Sequence, residues 1–204
     1  MHRIITIARE FGSGGREIGN RVADALGCAY YDKEIVSAIA ERSNTAVDYV
    51  NQVVEKKVRI YYPISIAVSL NPTPNDSIYA VDRNIFAAQA EILTELAQKS
   101  DCVIVGRCAD HILADFHPFR VYVYADMAFK IARCRARGED GNGLSDRELE
   151  KRIREVDKAR AKYYQFYTGS SHDDRLTCDL SINTTNISIP DAAAAIAALA
   201  RASG

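Results

Sequence analysis

The sequence predicts an α/β fold, in which helices cover both faces of a parallel sheet of five strands. Three observations predict it. Five short runs rich in β-branched and aromatic residues alternate with longer amphipathic segments. The run CVIVG at 102–106 is apolar throughout, as expected of a strand covered on both faces. The turn GSGG at 12–15 separates the first run from the first helical pattern, which is typical of a strand-to-helix loop that binds an anion.

The composition is that of one globular domain. The 204 residues can bury one substantial core, and 26 Lys and Arg residues are balanced by 27 Asp and Glu residues. This balance gives no support for a nucleic-acid or membrane surface that works by bulk charge. Five scattered cysteines contain no Cys-x-x-Cys pair, which favours buried thiols in a reducing compartment over disulfides or a zinc site. Because no apolar run is long enough for a signal peptide or a membrane span, we expect a cytoplasmic protein.

The strands and the first helix follow from local pattern. The first helix begins at Gly15 or Arg16 and ends at Leu26, because Gly27 supplies a C-terminal stop. The predicted strands lie at 3–8, 28–31, 102–106, 120–125 and 178–183.

A long stretch, 43–99, separates the second predicted strand from the third. It carries helical patterns at about 46–60 and 79–99, with three prolines in the joint between them. The apolar half of that joint, 61–70, fits either a contact with a second copy of the chain or a loop packed on the domain itself. A homodimer is therefore one of two open predictions for this segment.

The last third of the chain contains a glycine-rich break and two more helices. Segment 136–146 has three glycines and predicts a mobile loop. The charged pattern that follows it predicts a helix over 146–167, and Pro190 begins an alanine-rich closing helix over 190–202.

The glycine loop itself admits three interpretations. Against the phosphate-loop pattern G-x-x-x-x-G-K-[ST], the window 10–17 keeps Gly15 but has Arg16 for Lys and Glu17 for Ser or Thr. A dinucleotide fingerprint is the second interpretation, since Asp32 follows Gly12 by twenty residues, where a ribose-binding acid is expected. The third is a turn that binds nothing, although so many glycines impose an entropy cost that needs a reason.

Two charged residues at strand ends favour a ligand site. Arg107 directly follows Gly106 at the end of the third predicted strand, and Asp32 follows the second. Taken singly, Asp32 is as well explained as a helix N-cap and Arg107 as a surface charge. Ligands collect at the carboxyl ends of parallel strands, however, and the glycine loop lies at the same edge.

Together these residues resemble the cytidylate kinase-like family, relatives of the P-loop nucleoside monophosphate kinases. The resemblance covers nearly the whole chain. It rests on six segments in order: IAREFGSGGREIG, LGCAYYDKEIV, VIVGRCADHIL, RVYVYADMAFKIARCRAR, IREVDKARAKYYQFYTG and DLSINTTNISIPDA. It implies a three-layer α/β/α domain of the P-loop type, with a core of 1–42 and 100–204, a helical acceptor-site insertion at 43–99 and a lid at about 137–160.

The resemblance also implies roles for matching residues. Loop residues would hold the β-phosphate of the donor: Gly12, Ser13, Gly14 and Gly15. Arg16 stands for the lysine that neutralises the β- and γ-phosphates. Three residues match contacts to the acceptor monophosphate: Asp32, Arg107 and Asp110. Candidates that act on the transferring phosphoryl group are Arg133, Arg137, Arg154, Asp157 and Arg160, and Asn183 and Thr184 resemble the turn that packs against the donor base.

The implied cofactors are ATP and Mg²⁺, and the implied activity is transfer of the ATP γ-phosphate to a nucleoside monophosphate, with CMP or dCMP first. The chain departs from the pattern at Glu17, which fits either a Mg²⁺ ligand or compensation of the helix dipole. A nucleotide- or phosphate-binding protein without transfer activity is the alternative. An oxidoreductase that binds NAD(P) is the third function, and nucleotides are the expected partners in all three.

Overall fold

The computed structural model describes residues 2–32, 34–51, 74–138, 143–172 and 177–203. Its strands are β1 (Ile4–Arg9), β2 (Ala29–Tyr31), β3 (Cys102–Val105), β4 (Phe119–Tyr124) and β5 (Leu180–Asn183). They form one sheet in the order β2-β3-β1-β4-β5, and every neighbouring pair is parallel. The predicted α/β class with a five-stranded parallel sheet is confirmed.

Besides a 3₁₀ helix at Ala114–Phe116, eight α-helices lie in the described residues. They are α1 (Gly15–Leu26), α2 (Glu34–Arg42), α3 (Val47–Asn51), α4 (Pro74–Lys99), α5 (Ala109–Ile112), α6 (Met127–Arg137), α7 (Asp146–Thr168) and α8 (Ile189–Ala202). Helix α4 begins at Pro74, five residues before the predicted start at 79. Proline is tolerated in the first turn of a helix, because the N–H that it lacks would have no partner there. Of the helical pattern predicted at about 46–60, residues 47–51 form α3, and the rest of it, 52–60, lies with the apolar joint 61–70 outside the described residues.

The two faces of the sheet are covered separately. Successive residues of β1 point to opposite faces, so Ile4 joins one buried cluster and Ile5 joins the other. Ile18 and Ile196 bring α1 and α8 onto the Ile5 face, whereas helices α2, α4 and α7 cover the Ile4 face. This gives three layers, with the hydrophobic core divided between the two faces.

A third, smaller cluster packs α6 and α7 beside the glycine loop. It contains Cys134, Leu149 and Ile153, with Phe11 of the loop packed against it. Helix α7 starts at a capping box, in which the Ser145 hydroxyl accepts the Glu148 N–H and the Glu148 carboxylate accepts the Ser145 N–H. The packing of Phe11 on this cluster places α6 and α7 next to the loop.

The strand order determines where the loops meet. Because β3 and β4 flank β1, the loop after β1 lies between the exits of its two neighbours, which is the usual ligand position in an open α/β sheet. None of the helices in the described ranges has the length and apolar composition needed to cross a membrane. All five cysteines are described, and no two of them form a disulfide.

Candidate active site

The glycine loop has a shape that only glycine permits. Gly12 and Gly14 have positive φ angles of 77° and 90°. A Cβ added to Gly14 would also collide with the side chain of Ile189. Gly14 is the N-cap of α1, and the first N–H groups of a helix have no partner inside it, so they can bind an anion at this end.

Buried hydroxyls hold the loop from below. Ser13 is fully buried and its Oγ donates to the Glu10 carbonyl at 2.9 Å, while the Thr184 hydroxyl donates to the Ser13 carbonyl at 2.8 Å. Thr184 is itself fully buried, so a contribution to donor binding acts through the shape of the loop. Asn183 is exposed at the end of β5, where its Oδ1 accepts the Thr185 N–H at 3.0 Å.

A cleft opens above the loop, and we name it the loop cleft. Its lining residues include five arginines and two glutamates: Arg9, Arg16, Arg133, Arg137, Arg160, Glu10 and Glu17. The remaining lining residues are Phe11, Gly12, Gly14, Gly15 and Cys134. Since cations outnumber carboxylates and arginine matches phosphate oxygens in pairs, this lining is suited to a multiply charged anion.

Glu17 gathers arginines at the start of α1. Its Oε2 lies 2.7 Å from Nη2 of Arg133 and 3.0 Å from Nη1 of Arg137, and its Oε1 lies 3.0 Å from Nη2 of Arg21. The hydrogen bond from Arg133 lowers the pKa of Glu17 below its usual value, so the carboxylate is charged at neutral pH. Arg133 and Arg137, which were predicted to act on the transferring phosphoryl group, are thus held at the loop by Glu17 of α1.

The carboxylates near the loop do not form a cage for Mg²⁺. Both oxygens of Glu17 are engaged by arginines, and Asp32 Oδ2 lies 2.9 Å from Nε of Arg16. Within the described ranges, no group of three or more His, Cys, Asp or Glu side chains is placed to hold a metal. The residues present therefore fit Mg²⁺ only as an ion that phosphates of a ligand carry in.

The side chain of Arg16 extends from the loop towards the exit of β2. It pairs with Asp32, whose side chain is only 7% exposed, and the Tyr30 hydroxyl donates to the Arg16 carbonyl at 3.1 Å. The structure therefore brings Arg16, the predicted phosphate-binding cation of the loop, into direct contact with Asp32, which the resemblance assigned to the acceptor monophosphate.

Lys130 is a buried cation beside the loop that the sequence did not indicate. It is 6% exposed, and its Nζ lies 2.6 Å from Glu10 and 3.0 Å from Asp157. Asp157 also accepts the N–H of Phe11 at 2.6 Å. Lys130 of α6 and Asp157 of α7 therefore both contact the start of the loop. The sequence signal that could have indicated a buried Lys130 is its spacing, because it precedes the buried Cys134 by one helical turn.

A second pocket lies at the exit of β3, and we name it the strand-end pocket. Its lining residues are Ala8, Arg9, Gly106, Arg107, Cys108, Asp110, Arg160, Tyr163, Tyr164 and His172. Three consecutive residues of this turn, Gly106 to Cys108, have positive φ angles of 74°, 65° and 51°. Left-handed backbone costs energy at the two non-glycine residues, and such strain is typical of functional sites.

Asp110 lies in this pocket under strong desolvation. Burial raises its pKa, although the Tyr164 hydroxyl donates to its Oδ2 at 2.6 Å. Burial likewise raises the pKa of the Tyr164 hydroxyl, which keeps it a proton donor in that bond. The pair offers a buried, polar contact for a hydroxyl or an amine of a ligand.

Six predicted site residues are not among the lining residues of either pocket: Ser13, Asp32, Arg154, Asp157, Asn183 and Thr184. The Arg154 side chain is 66% exposed and pairs with Glu150 one turn earlier in α7, at 2.7 Å. Arg160, in contrast, lines both pockets and lies with its guanidinium carbon 5.8 Å from the centre of the Phe11 ring.

Comparisons with known proteins agree with this geometry. The sequence profile described as the cytidylate kinase-like family matches residues 4–186. A search of curated protein sequences finds no match. Among solved structures, an uncharacterized protein from Eubacterium ventriosum ATCC 27560 is 24% identical, with a TM-score of 0.69 over 98% of this chain and 99% of that one.

Shikimate kinases have the same fold at lower identity. The enzyme from Bacteroides thetaiotaomicron is 14% identical, with a TM-score of 0.58 over 98% of both chains. The enzyme from Acinetobacter baumannii, in complex with shikimate, is 15% identical, with a TM-score of 0.55 over 100% of this chain and 95% of that one. At these identities the likeness shows a common P-loop kinase fold.

Proposed function

Because this chain belongs to the cytidylate kinase-like family, we propose that it is a phosphotransferase that moves the γ-phosphate of ATP to a nucleoside monophosphate, with CMP or dCMP as acceptor. One observation supports this most. The loop cleft and the strand-end pocket meet at the end of β1, where Arg9 and Arg160 line both. A transferase needs two adjacent anion sites, one for each substrate, whereas a simple binding protein needs one.

The donor fits the loop cleft. The N–H groups at the start of α1 and the loop glycines are available to the β-phosphate, and Arg133 and Arg137 are within reach of the terminal phosphates once they exchange with Glu17. Mg²⁺ bound to the triphosphate would supply charge neutralisation, and the part of the chain that the structure describes holds no group of three or more acidic, His or Cys side chains to bind it.

The acceptor fits the strand-end pocket. Arg107 supplies a guanidinium with paired donors for the acceptor phosphate, and the Asp110–Tyr164 pair supplies a polar contact for the sugar or base. In the proposed reaction an oxygen of the acceptor phosphate attacks the γ-phosphorus in line, and the bond to the β,γ-bridging oxygen breaks with its electron pair leaving on ADP. The protein positions both groups, neutralises charge and excludes water.

The test is a ligand panel followed by turnover. Thermal unfolding is measured with ATP, ADP, CMP, dCMP, UMP and NAD, each with and without Mg²⁺, and a coupled assay then measures ADP release with each acceptor. A ligand at a hundred times its dissociation constant adds about 2.7 kcal/mol of stability, which is easily resolved. We expect stabilisation by ATP and by CMP or dCMP, and turnover with the pair. Absence of any nucleotide shift would contradict the proposal.

Nucleotide binding without transfer is the second candidate, and one observation favours it. Glu17 occupies Arg133 and Arg137 with a fixed negative charge next to the site expected for the γ-phosphate. Stabilisation by ATP without turnover over a broad acceptor panel would support this function.

The dinucleotide interpretation is disfavoured by topology. The usual dinucleotide sheet places β2 directly beside β1, whereas here β3 lies between them. Stabilisation by NAD that is independent of Mg²⁺ would be needed to restore it.

A further inference from the structure

We propose that Arg9, the last residue of β1, is a catalytic residue that contacts the phosphoryl group in transit between the two pockets. The proposal rests on the proposed function and names a residue that the sequence did not indicate. In it, the cation that a phosphate loop normally carries as lysine is supplied from the strand below the loop.

Arg9 occupies the boundary between the two sites. It is 7% exposed, yet it lines both the loop cleft and the strand-end pocket. Its carbonyl lies 3.5 Å from Nη1 of Arg160, so α7 is placed against the same strand end. A phosphoryl group that passes from one pocket to the other must cross this position.

Two glycines make room for the Arg9 side chain. A Cβ added to Gly15, the first residue of α1, would lie 2.6 Å from Cβ of Arg9. A Cβ added to Gly106, at the exit of β3, would collide with Nη1 of Arg9. The side chain therefore runs from beneath the loop to the exit of β3, which is the path from donor to acceptor.

Other cations near the loop are placed for different tasks. Arg16 pairs with Asp32 at the exit of β2, and Glu17 carries the opposite charge. Lys130 is held between Glu10 and Asp157, and it is not among the residues that line the loop cleft. Arg9 and Arg160 are the arginines that line both pockets, and Arg9 is the one whose side chain runs between the loop and the exit of β3.

The chemistry requires a charge that does not move. As the acceptor oxygen bonds to the γ-phosphorus and the bond to ADP breaks, negative charge spreads over the three equatorial oxygens and the leaving oxygen. A guanidinium stays protonated at every working pH and presents paired N–H donors to two such oxygens. Arg9 gives and takes no proton in this step.

Substitution of Arg9 tests the proposal by kinetics. Arg9→Gln should lower kcat for ATP and CMP by about 10²- to 10³-fold with small changes in either KM, since the contact strengthens in the transition state. Arg9→Lys should recover about tenfold of that loss and keep kcat below that of the wild type, because it restores the charge without the paired donors. Arg201→Gln, at the far end of α8, makes the same charge change and should leave kcat unaltered.

A bisubstrate ligand separates this proposal from the proposed function and from a folding defect. P1-cytidyl-P5-adenosyl pentaphosphate spans both pockets, so Arg9→Gln should weaken its binding at least about tenfold more than it weakens ATP or CMP bound singly. Equal weakening of all three, or a folded Arg9→Gln variant with kcat within threefold of the wild type, would overturn the role of Arg9. If the wild-type chain binds these ligands but turns over no acceptor, the proposed function fails, and the bisubstrate comparison then decides whether Arg9 contacts the phosphates between the two pockets. If Arg9→Gln does not fold, the same comparison is made with Arg9→Lys, for which an unchanged kcat and bisubstrate affinity would overturn the proposal.

Discussion

At the scale of single residues, arginine–carboxylate pairs hold the cations of the loop region in place. Glu17 binds Arg133 and Arg137, Asp32 binds Arg16, and the pairs involve side chains that are mostly half-buried. A charge taken from water is costly unless it is paired, so these carboxylates allow the arginines to collect beside the loop before a ligand arrives. A phosphate must then exchange with a carboxylate, which reduces the net gain from binding.

This exchange predicts the effect of Glu17→Gln. Removing the negative charge releases Arg133 and Arg137 to the ligand, so ATP should bind about tenfold more tightly, which corresponds to about 1.4 kcal/mol. Calorimetric titration with ATP, with and without Mg²⁺, measures the change. Glu91→Gln makes the same charge change on the exposed side of α4 and should leave the affinity unaltered. Weaker binding of ATP–Mg²⁺ by Glu17→Gln would instead indicate a metal ligand.

A second residue-scale prediction concerns Asp110. Because burial raises its pKa in the folded state, the carboxyl contributes stability below its unfolded pKa and loses it as the pH rises through the folded pKa. Asp110→Asn keeps an acceptor for Tyr164 and removes the buried charge, so its Tm should exceed that of the wild type at pH 7. The difference should shrink as the pH falls towards the unfolded pKa, because the wild-type carboxyl then becomes protonated in the folded state. A lower Tm of Asp110→Asn at pH 7 would contradict the desolvation of this group.

At the scale of elements, the exit of β3 depends on a helix from the 43–99 stretch. Gln89 of α4 is fully buried, and its Nε2 donates to the Arg107 carbonyl at 2.8 Å. This bond pairs a buried carbonyl within the left-handed turn of Gly106 to Cys108. The helix thereby fixes the backbone from which the Arg107 guanidinium extends.

Gln89→Leu should therefore affect both stability and acceptor binding. Loss of the Gln89 donor removes a buried hydrogen bond to the Arg107 carbonyl and should lower the free energy of unfolding by about 1–3 kcal/mol. The KM for CMP should rise while the KM for ATP stays within about twofold, since the loop cleft is untouched. Gln98→Leu makes the same change at an exposed position of α4 and serves as the control in urea unfolding and kinetics. Equal changes in the two KM values would contradict a local role for Gln89.

At the scale of the whole molecule, the sheet joins two hydrophobic faces into one folding unit. Ile39 lies in the cluster on one face and Ile196 in the cluster on the other, and both are fully buried. Because β1 and β3 contribute alternate residues to each cluster, loss of one face removes support from the other.

Core truncation tests this coupling. Ile39→Ala and Ile196→Ala should each lower the free energy of unfolding by about 2–5 kcal/mol and keep a single transition in urea. Circular dichroism and the fluorescence of the eleven tyrosines should give the same midpoint in each variant. Two separate midpoints would show that the faces unfold independently.

Much of the fold was predictable because its signals are local. Apolar runs and the Gly27 stop gave the strands and the bounds of α1, and the resemblance over six segments agrees with the family that the profile match shows. The pairing partners at the site were not predictable in the same way. Glu17 meets Arg133 across 116 residues and Phe11 meets Asp157 across 146, and no local pattern encodes such distances.

Arg9 shows the same limit from another side. In the sequence it is one basic residue at the end of an apolar run. Only the folded chain shows that Gly15 and Gly106 lie against its side chain. The space that these glycines leave for the Arg9 side chain depends on the tertiary structure. The conformational preferences of single residues do not predict it.

The central position of β1 has an evolutionary consequence. Under the proposed function, donor contacts come from the loop and α6, while acceptor contacts come from the turn after β3, whose backbone is supported by Gln89 of α4. Along the chain the acceptor segments lie between the two donor segments, and in the sheet β1 separates the exits of β3 and β4. Libraries confined to the turn after β3 and to the α4 residues around Gln89 should therefore yield altered acceptor preference with unchanged ATP use.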